Sequence, residues 1–437
     1  MSARSVEFIE AKEGDVNISG QVPHFTAFNT WAGQGAPQPP DEAAGLRHFT
    51  IELPSERDLR ETADRLRGDG LTVTEAPGGF FVRNPSANRI HLTVSDDVGL
   101  PWSGPRSDVG RDSYAESKQP KKEKTQSMRA ITLESFDSSP ALHEVPTPQI
   151  APNEVLVRVH ASSVNPVDGA IAAGMLKDMV EHEFPIVLGR DYAGVVEQAG
   201  SDVRGISVGD EVFGFIPGMS PTVHAGSWAD LIAVPESIVA RKPTGVEFRA
   251  AGATPMAGIT ALSALDALSV SEGDTVLVVG ANGGVGSFAV QLAANAGATV
   301  IAPALPEDED YLRDLGVSEI LPRGADIAAF VHERYPDGIE ALLDLVSYAP
   351  EGFDTHAEVL KDDGRGASSL SAAGEGSGRH NVMAMPTQDN LERLGRMLEA
   401  GTLRVPIQNT YSLDQAGEAL RALSTAHTQG KHTIQVA

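Results

Sequence analysis

The residues whose types and spacing imply chemistry most directly are Gly280, Ala281, Asn282, Gly283, Gly284, Val285 and Gly286. They follow a continuous apolar, β-branched-rich run, Thr275 to Val279, as expected of a buried parallel strand. They precede SFAVQLAANAG, which reads as an amphipathic helix closed by Gly297, and Thr299 to Ala302 then begin the next strand. A glycine-rich turn between strand and helix lets the backbone approach a pyrophosphate, whose charge is met by the helix N-terminus. Gly283 and Gly284 are expected to make the tight turn, and Gly286 the close helix–strand contact. The strand–turn–helix–strand context selects a dinucleotide site over a merely structural glycine turn.

Which dinucleotide is bound depends on the end of the second strand, where NAD-preferring sites place an acid on the ribose 2′-hydroxyl. That position holds Ala302-Pro303-Ala304, with no acid, which favours NADPH and leaves NADH possible. Glu307 to Asp310 follow closely and the nearest basic residue is Arg313. This acidic run also reads as a solvated helix start, where carboxylates suit the helix dipole.

Composition bounds the remaining possibilities. The 437 residues carry a formal net charge of −26, so nucleic acid and anionic membrane surfaces would repel this chain. With no cysteine, disulfides, thiolate metal sites and a cysteine nucleophile are excluded. No run approaches the roughly 18 consecutive apolar residues of a membrane span. The start, MSARSVEFIEAKEG, has no apolar core of a secretory signal, so a cytoplasmic location is expected.

Residues 101–127, rich in Pro, Gly, Ser and charge and without a period of 2 or 3.6, read as a linker. Residues 1–100 then form a small front unit and 128–437 the main body. Within the body, strands and turns give way after about 120 residues to alternating β and α elements, so the fold class is α/β with a β-rich partner domain. The division expected is 128–250 with 400–437 for the β-rich domain, and 251–399 for the dinucleotide-binding domain.

The body resembles the zinc-independent quinone oxidoreductase (zeta-crystallin-like) branch of the medium-chain dehydrogenase/reductase superfamily. The resemblance rests on ASSVNPVDGAI (161–171), PIVLGRDYAGVVEQAGSDV (185–203), VGDEVFGF (208–215), AGSWADLIAV (225–234), the glycine loop and HTQGKHTIQV (427–436). It implies a GroES-like catalytic domain formed by both ends of the body, an inserted Rossmann domain, a cofactor cleft between them and a homodimer. Zinc-dependent members use Cys and His near the positions held here by Asn165 to Asp168 and by Gly189, Arg190 and Asp191. Catalysis without metal is therefore expected, by hydride transfer to a small-molecule quinone or carbonyl-conjugated alkene.

Site roles follow the matching segments. Asn165 resembles the family asparagine beside the nicotinamide, or is only the turn residue before Pro166. Asp168 reads as structural more than catalytic. Tyr192 follows Arg190-Asp191 and is a candidate proton donor or substrate contact, with a half-buried strand tyrosine as the alternative. Thr260 matches a cofactor-contacting threonine, or packs a helix, and Lys431 lies near the cofactor or caps the last strand.

The front unit reads as β-α-β-β-β: HFTIELP, the helix of residues 55–70, LTVTEA, GFFVRNP and NRIHLTV. With FNTWAGQGAP, GLRHFTIELP and FVRNPSANRIHL it resembles the last half of a vicinal oxygen chelate protein of catechol 2,3-dioxygenase type. That family binds a divalent metal through two His and one Glu. His48 matches one ligand, His91 stands where the Glu would be, the first ligand's repeat is absent and His24 need not be one, so a structural or dimerising remnant is expected. Two other functions remain: a fusion of a ring-cleaving dioxygenase with the reductase, and a non-enzymatic NADPH-binding sensor or structural protein.

Overall fold

The computed structural model describes residues 127–218 and 222–437, and in the front part five strands and helical positions 57, 60, 62–64 and 67. The chain forms two compact units, Met1–Lys118 and Gln119–Ala437. In the first, Asn17–Ile18, His48–Leu53, Arg89–Val94, Gly79–Arg83 and Thr72–Ala76 lie side by side in that order. The expected strand–helix–strand–strand–strand succession is present, and Ala63 on the helix is fully buried. The register sets His48 opposite Arg89 and His91 opposite Thr50; the side chains of both histidines, His24 and residues 101–126 lie outside the described residues.

In the second unit, six parallel strands stand in the order Glu319–Pro322, Thr299–Ala304, Thr275–Val279, Ile339–Asp344, Leu360–Ser368, Arg379–Asn381. This is the doubly wound order, whose direction of travel reverses between Thr275–Val279 and Ile339–Asp344, and ligands of such sheets bind beyond the strand ends at that reversal. The central strand explains its own sequence. Val276 and Val278 pack into one apolar cluster and Leu277 and Val279 into another, so both faces are covered and every position is apolar or β-branched.

The other large sheet runs Val239–Arg241, Glu211–Phe215, Asp191–Ala199, Glu154–Ser163, Lys431–Gln435, Ile407–Ser412, with Leu231–Pro235 also paired to Glu154–Ser163. The antiparallel pairing of Thr433 with Ser163 closes the C-terminal end of the body onto its beginning. The architecture is thus a GroES-like sheet with a Rossmann sheet inserted between its two parts. A smaller three-stranded sheet adds Ile186–Val187, Ser127–Leu133 and Ala141–Pro146. Among the described residues no helix is long and apolar enough to cross a membrane.

Candidate active site

The glycine loop begins where the strand Thr275–Val279 ends, and the helix Gly284–Asn295 leaves it. The sharp reversal falls on Gly280, whose φ of +92° is the left-handed conformation, while Gly283 is extended with φ −76°. The turn closes on Gly283, whose N–H donates to the Gly280 carbonyl at 3.2 Å, so Gly283 belongs to it as expected while Gly284 already begins the helix. Gly286 does make the close helix–strand contact: a Cβ there would sit 2.2 Å from the Gly280 carbonyl oxygen. The Gly283 N-cap supplies no side-chain cap to the helix, whose first main-chain bond is Ser287 N–H to the Gly283 carbonyl at 2.9 Å. The N–H groups of Gly284, Val285 and Gly286 are therefore left for an acceptor from outside the helix, a cradle that fits a dinucleotide pyrophosphate.

Neighbouring residues fix the loop. Ala281 is fully buried, and Asn282 donates Nδ2–H to the Thr428 carbonyl at 2.9 Å while its own carbonyl accepts the Gly430 N–H at 2.8 Å. At the strand reversal Asp344, fully buried, accepts the N–H groups of Val346 and Ser347 at 2.9 Å each, and His356 Nδ1 at 2.8 Å. Burial alone would raise its pKa; the hydrogen bonds from His356, Val346 and Ser347 overcome that and hold it down at about 2. The tethered loop brings Val346 against Gly280. Sequence reading missed Asp344, although a carboxylate ending the apolar run of Ile339–Asp344 was its available signal.

The second strand ends at Ala304, within the expected stretch Ala302-Pro303-Ala304, and Ala302 is fully buried inside it. Asp308 is also buried rather than solvated, and its Oδ1 accepts from His427 at 2.7 Å and Gln429 at 2.8 Å.

Asn165 and Lys431, 266 positions apart in sequence, meet in a buried polar seam. Asn165 stands at the N-cap of the helix Pro166–Ala172, where its N–H donates to Asp168 Oδ2 at 2.7 Å. Its side chain turns instead toward Asp191 and Lys431, with Nδ2 donating to Asp191 Oδ2 at 2.8 Å and Oδ1 accepting Lys431 Nζ at 2.6 Å. Lys431 also donates to the Val164 carbonyl at 3.2 Å. Asp191, passed over in the sequence as a site residue, gathers further donors: Ser163 Oγ at 2.6 Å and the Met256 N–H at 2.8 Å. Burial pulls the Lys431 pKa below its usual value, opposed by the Asp191 and Asp168 carboxylates. Burial raises Asp168 to about 7, with the Arg190 guanidinium working against the rise.

One expected site residue falls elsewhere. Tyr192 is fully buried, its O–H donates to the Ile238 carbonyl at 2.8 Å, and burial pushes its pKa up. It is a core residue and not a proton donor to a cleft. Thr260 donates its hydroxyl to the Met256 carbonyl of its own helix at 2.7 Å, one turn from the Met256 N–H that donates to Asp191.

The seam does not fit zinc. A tetrahedral zinc site takes thiolate, imidazole or carboxylate donors, and here the Lys431 ammonium lies 3.7 Å from Asp191 while the Arg190 guanidinium faces Asp168. Two basic side chains therefore already stand beside these carboxyl groups. Among the described residues no three His, Asp or Glu side chains converge as a metal site.

Residues 151–244 match the alcohol dehydrogenase GroES-like domain, and residues 315–434 the domain described as zinc-binding dehydrogenase. The chain is 32% identical over 296 residues to 2-methylene-furan-3-one reductase of Solanum lycopersicum, covering 66% of this chain and 74% of that protein. It is 30% identical over 293 residues to the chloroplastic NADPH-dependent alkenal/one oxidoreductase of Arabidopsis thaliana, covering 66% and 73%. The solved quinone oxidoreductase from Coxiella burnetii is similar at a TM-score of 0.62 and 29% identity, over 71% of this chain and 100% of that one. The chain belongs to the medium-chain dehydrogenase/reductase superfamily, in its quinone and enone oxidoreductase-like branch.

Proposed function

We propose that this protein is an NADPH-dependent, zinc-independent reductase of quinones or carbonyl-conjugated alkenes. The observation that carries the reading is the single seam in which the glycine loop, Lys431 and Asn165 come together at the mouth of the doubly wound sheet. The names of the relatives, an enone reductase, an alkenal/one oxidoreductase and a quinone oxidoreductase, support the acceptor class.

The backbone N–H groups of Gly284, Val285 and Gly286 would hold the pyrophosphate, and the loop Leu345–Tyr348, pinned by Asp344, would border the nicotinamide end. Bound NADPH supplies a hydride. The chain's own residues orient the acceptor, keep water out and meet charge at its oxygen. A homodimeric cytoplasmic enzyme acting on a small molecule is the form expected, and size-exclusion chromatography with light scattering tests the dimer.

For the front unit the strand order His48–Leu53, Arg89–Val94, Gly79–Arg83, Thr72–Ala76 supports the vicinal oxygen chelate reading of its backbone. Stoichiometric iron or manganese removable by chelator would indicate a dioxygenase fusion; its absence would favour the accessory unit expected from the incomplete ligand set.

The test of the main reading is oxidation of NADPH, and separately NADH, with a benzoquinone, a phenanthrenequinone and an enone. Turnover with NADPH supports it. Measurable NADPH binding without turnover of any acceptor would favour the sensor instead.

A further inference from the structure

Asn165 stands between two charged groups of the seam, and its surroundings are not symmetric. One end of its amide meets a cation, Lys431 Nζ at 2.6 Å; the other meets an anion, Asp191 Oδ2 at 2.8 Å. In the opposite orientation the NH₂ group would face the ammonium and the oxygen would face the carboxylate. Both contacts would become repulsive, so the amide cannot flip. The two charges are themselves anchored. Asp191 is held by Ser163 Oγ and the Met256 N–H, and Lys431 by the Val164 carbonyl. The Lys431 stem lies along the first turn of the glycine-loop helix, where a Cβ on Gly284 would come within 2.9 Å of Lys431 Cδ. With one N–H engaged by Asp191, Nδ2 keeps a second N–H to donate, while the remaining lone pair of Oδ1 can only accept and so cannot meet an incoming carbonyl oxygen.

We infer that Lys431 and Asp191 are positioning residues that lock the Asn165 amide as a hydrogen-bond donor toward the acceptor's carbonyl oxygen. The inference rests on the proposed function in taking that acceptor to be a quinone or enone. When the alkene carbon of an enone gains a hydride, its π pair moves toward the carbonyl and leaves an enolate oxygen, and a proton from solvent later completes the C–H bond. A preset N–H donor meets the developing negative charge without reorganising. A flipped amide would present a carbonyl oxygen to that charge and oppose it. The seam therefore selects acceptors with an oxygen conjugated to the reducible bond.

The test is a double-mutant cycle of Lys431→Met and Asn165→Ala, with Lys431→Arg as the conservative variant. Turnover of an enone with NADPH, NADPH affinity and urea unfolding of the cofactor-free chain are measured for each. The expected result is a loss in kcat of roughly 100-fold for Asn165→Ala and roughly 10-fold for Lys431→Met, the double variant matching Asn165→Ala within about threefold. Lys431→Arg should recover much of the loss, and acceptor KM should move little. Multiplicative losses, or a Lys431→Met variant whose only defect is weaker NADPH binding, would overturn the inference. The unfolding cycle must independently show Lys431 and Asn165 coupled, and additivity there overturns it whatever the acceptor proves to be. Coupled unfolding in a wild-type protein that turns over no acceptor would contradict the proposed function while leaving the locked amide supported.

Discussion

His356 Nδ1 lies 2.8 Å from Oδ2 of Asp344, and through this contact a helix is tied to the strand end that flanks the glycine loop. The same carboxylate holds the Val346 and Ser347 N–H groups, so one buried side chain sets the shape of the loop over Gly280. Asp344→Ala removes the charged acceptor of all three bonds and should destabilise the fold by about 2–4 kcal/mol, with NADPH affinity falling as well. Because the folded pKa is depressed to about 2, the stability Asp344 contributes is present above its unfolded value near 4 and is lost as pH falls toward 2. Urea unfolding at neutral and acidic pH, for wild type and Asp344→Ala, checks both the size and the sign.

Two glycines of the same loop should behave differently when given a methyl group. At Gly286 a Cβ meets the Gly280 carbonyl oxygen at 2.2 Å and Ala281 Cα at 2.6 Å, both backbone atoms that cannot move aside. At Gly283 the nearest atom is 3.5 Å away. Gly286→Ala should therefore displace the helix, costing on the order of 1–3 kcal/mol and most NADPH binding. Gly283→Ala should fold normally. Thermal melts and fluorescence titration with NADPH distinguish the two, and equal melting temperatures would contradict the packing.

How much was legible follows from the range of the contacts involved. The strand Thr275–Val279, the glycine loop and its helix are consecutive in sequence, so their pattern showed in a single window, though not which glycine takes the left-handed turn. The seam could not be read that way. Asp191 meets Met256 across 65 positions and Lys431 meets Asn165 across 266, and only the pairing of the last strand with Glu154–Ser163 brings them together. Tyr192 was misplaced because its strand is covered on both faces near its start, leaving no alternation to show which side chains look outward. Of the stretch Ala302-Pro303-Ala304 read as the strand end, Ala304 closes the strand and Ala302 is buried within it.

His432 is buried next to Lys431 with neither ring nitrogen hydrogen-bonded. Burial and the neighbouring ammonium lower its pKa, so the folded chain keeps it neutral where the unfolded chain takes up a proton. Its contribution is thus present above the unfolded value of about 6.5 and is lost as pH falls below it, at most about 1.4 kcal/mol per pH unit. His432→Phe should melt with a shallower loss of stability between pH 7 and roughly pH 5 than wild type. Parallel melting curves across that range would show that His432 does not titrate on unfolding.

The cations in the Asn165 seam predict indifference to chelators. Dialysis against EDTA should leave NADPH-dependent turnover unchanged, and added zinc should not raise it, since Lys431 and Arg190 occupy the surroundings of Asp191 and Asp168. Metal analysis of the active protein alongside the rate is the check.

The hydride should pass directly from NADPH to an acceptor conjugated to a carbonyl. The most direct measurement uses NADPH carrying deuterium at its transferable position, with an enone as acceptor and mass spectrometry of the product. The reduced product should carry one deuterium bound to carbon and form equally well with and without EDTA. NADPH oxidation that leaves the product unlabelled, or that stops when chelator is present, would contradict it.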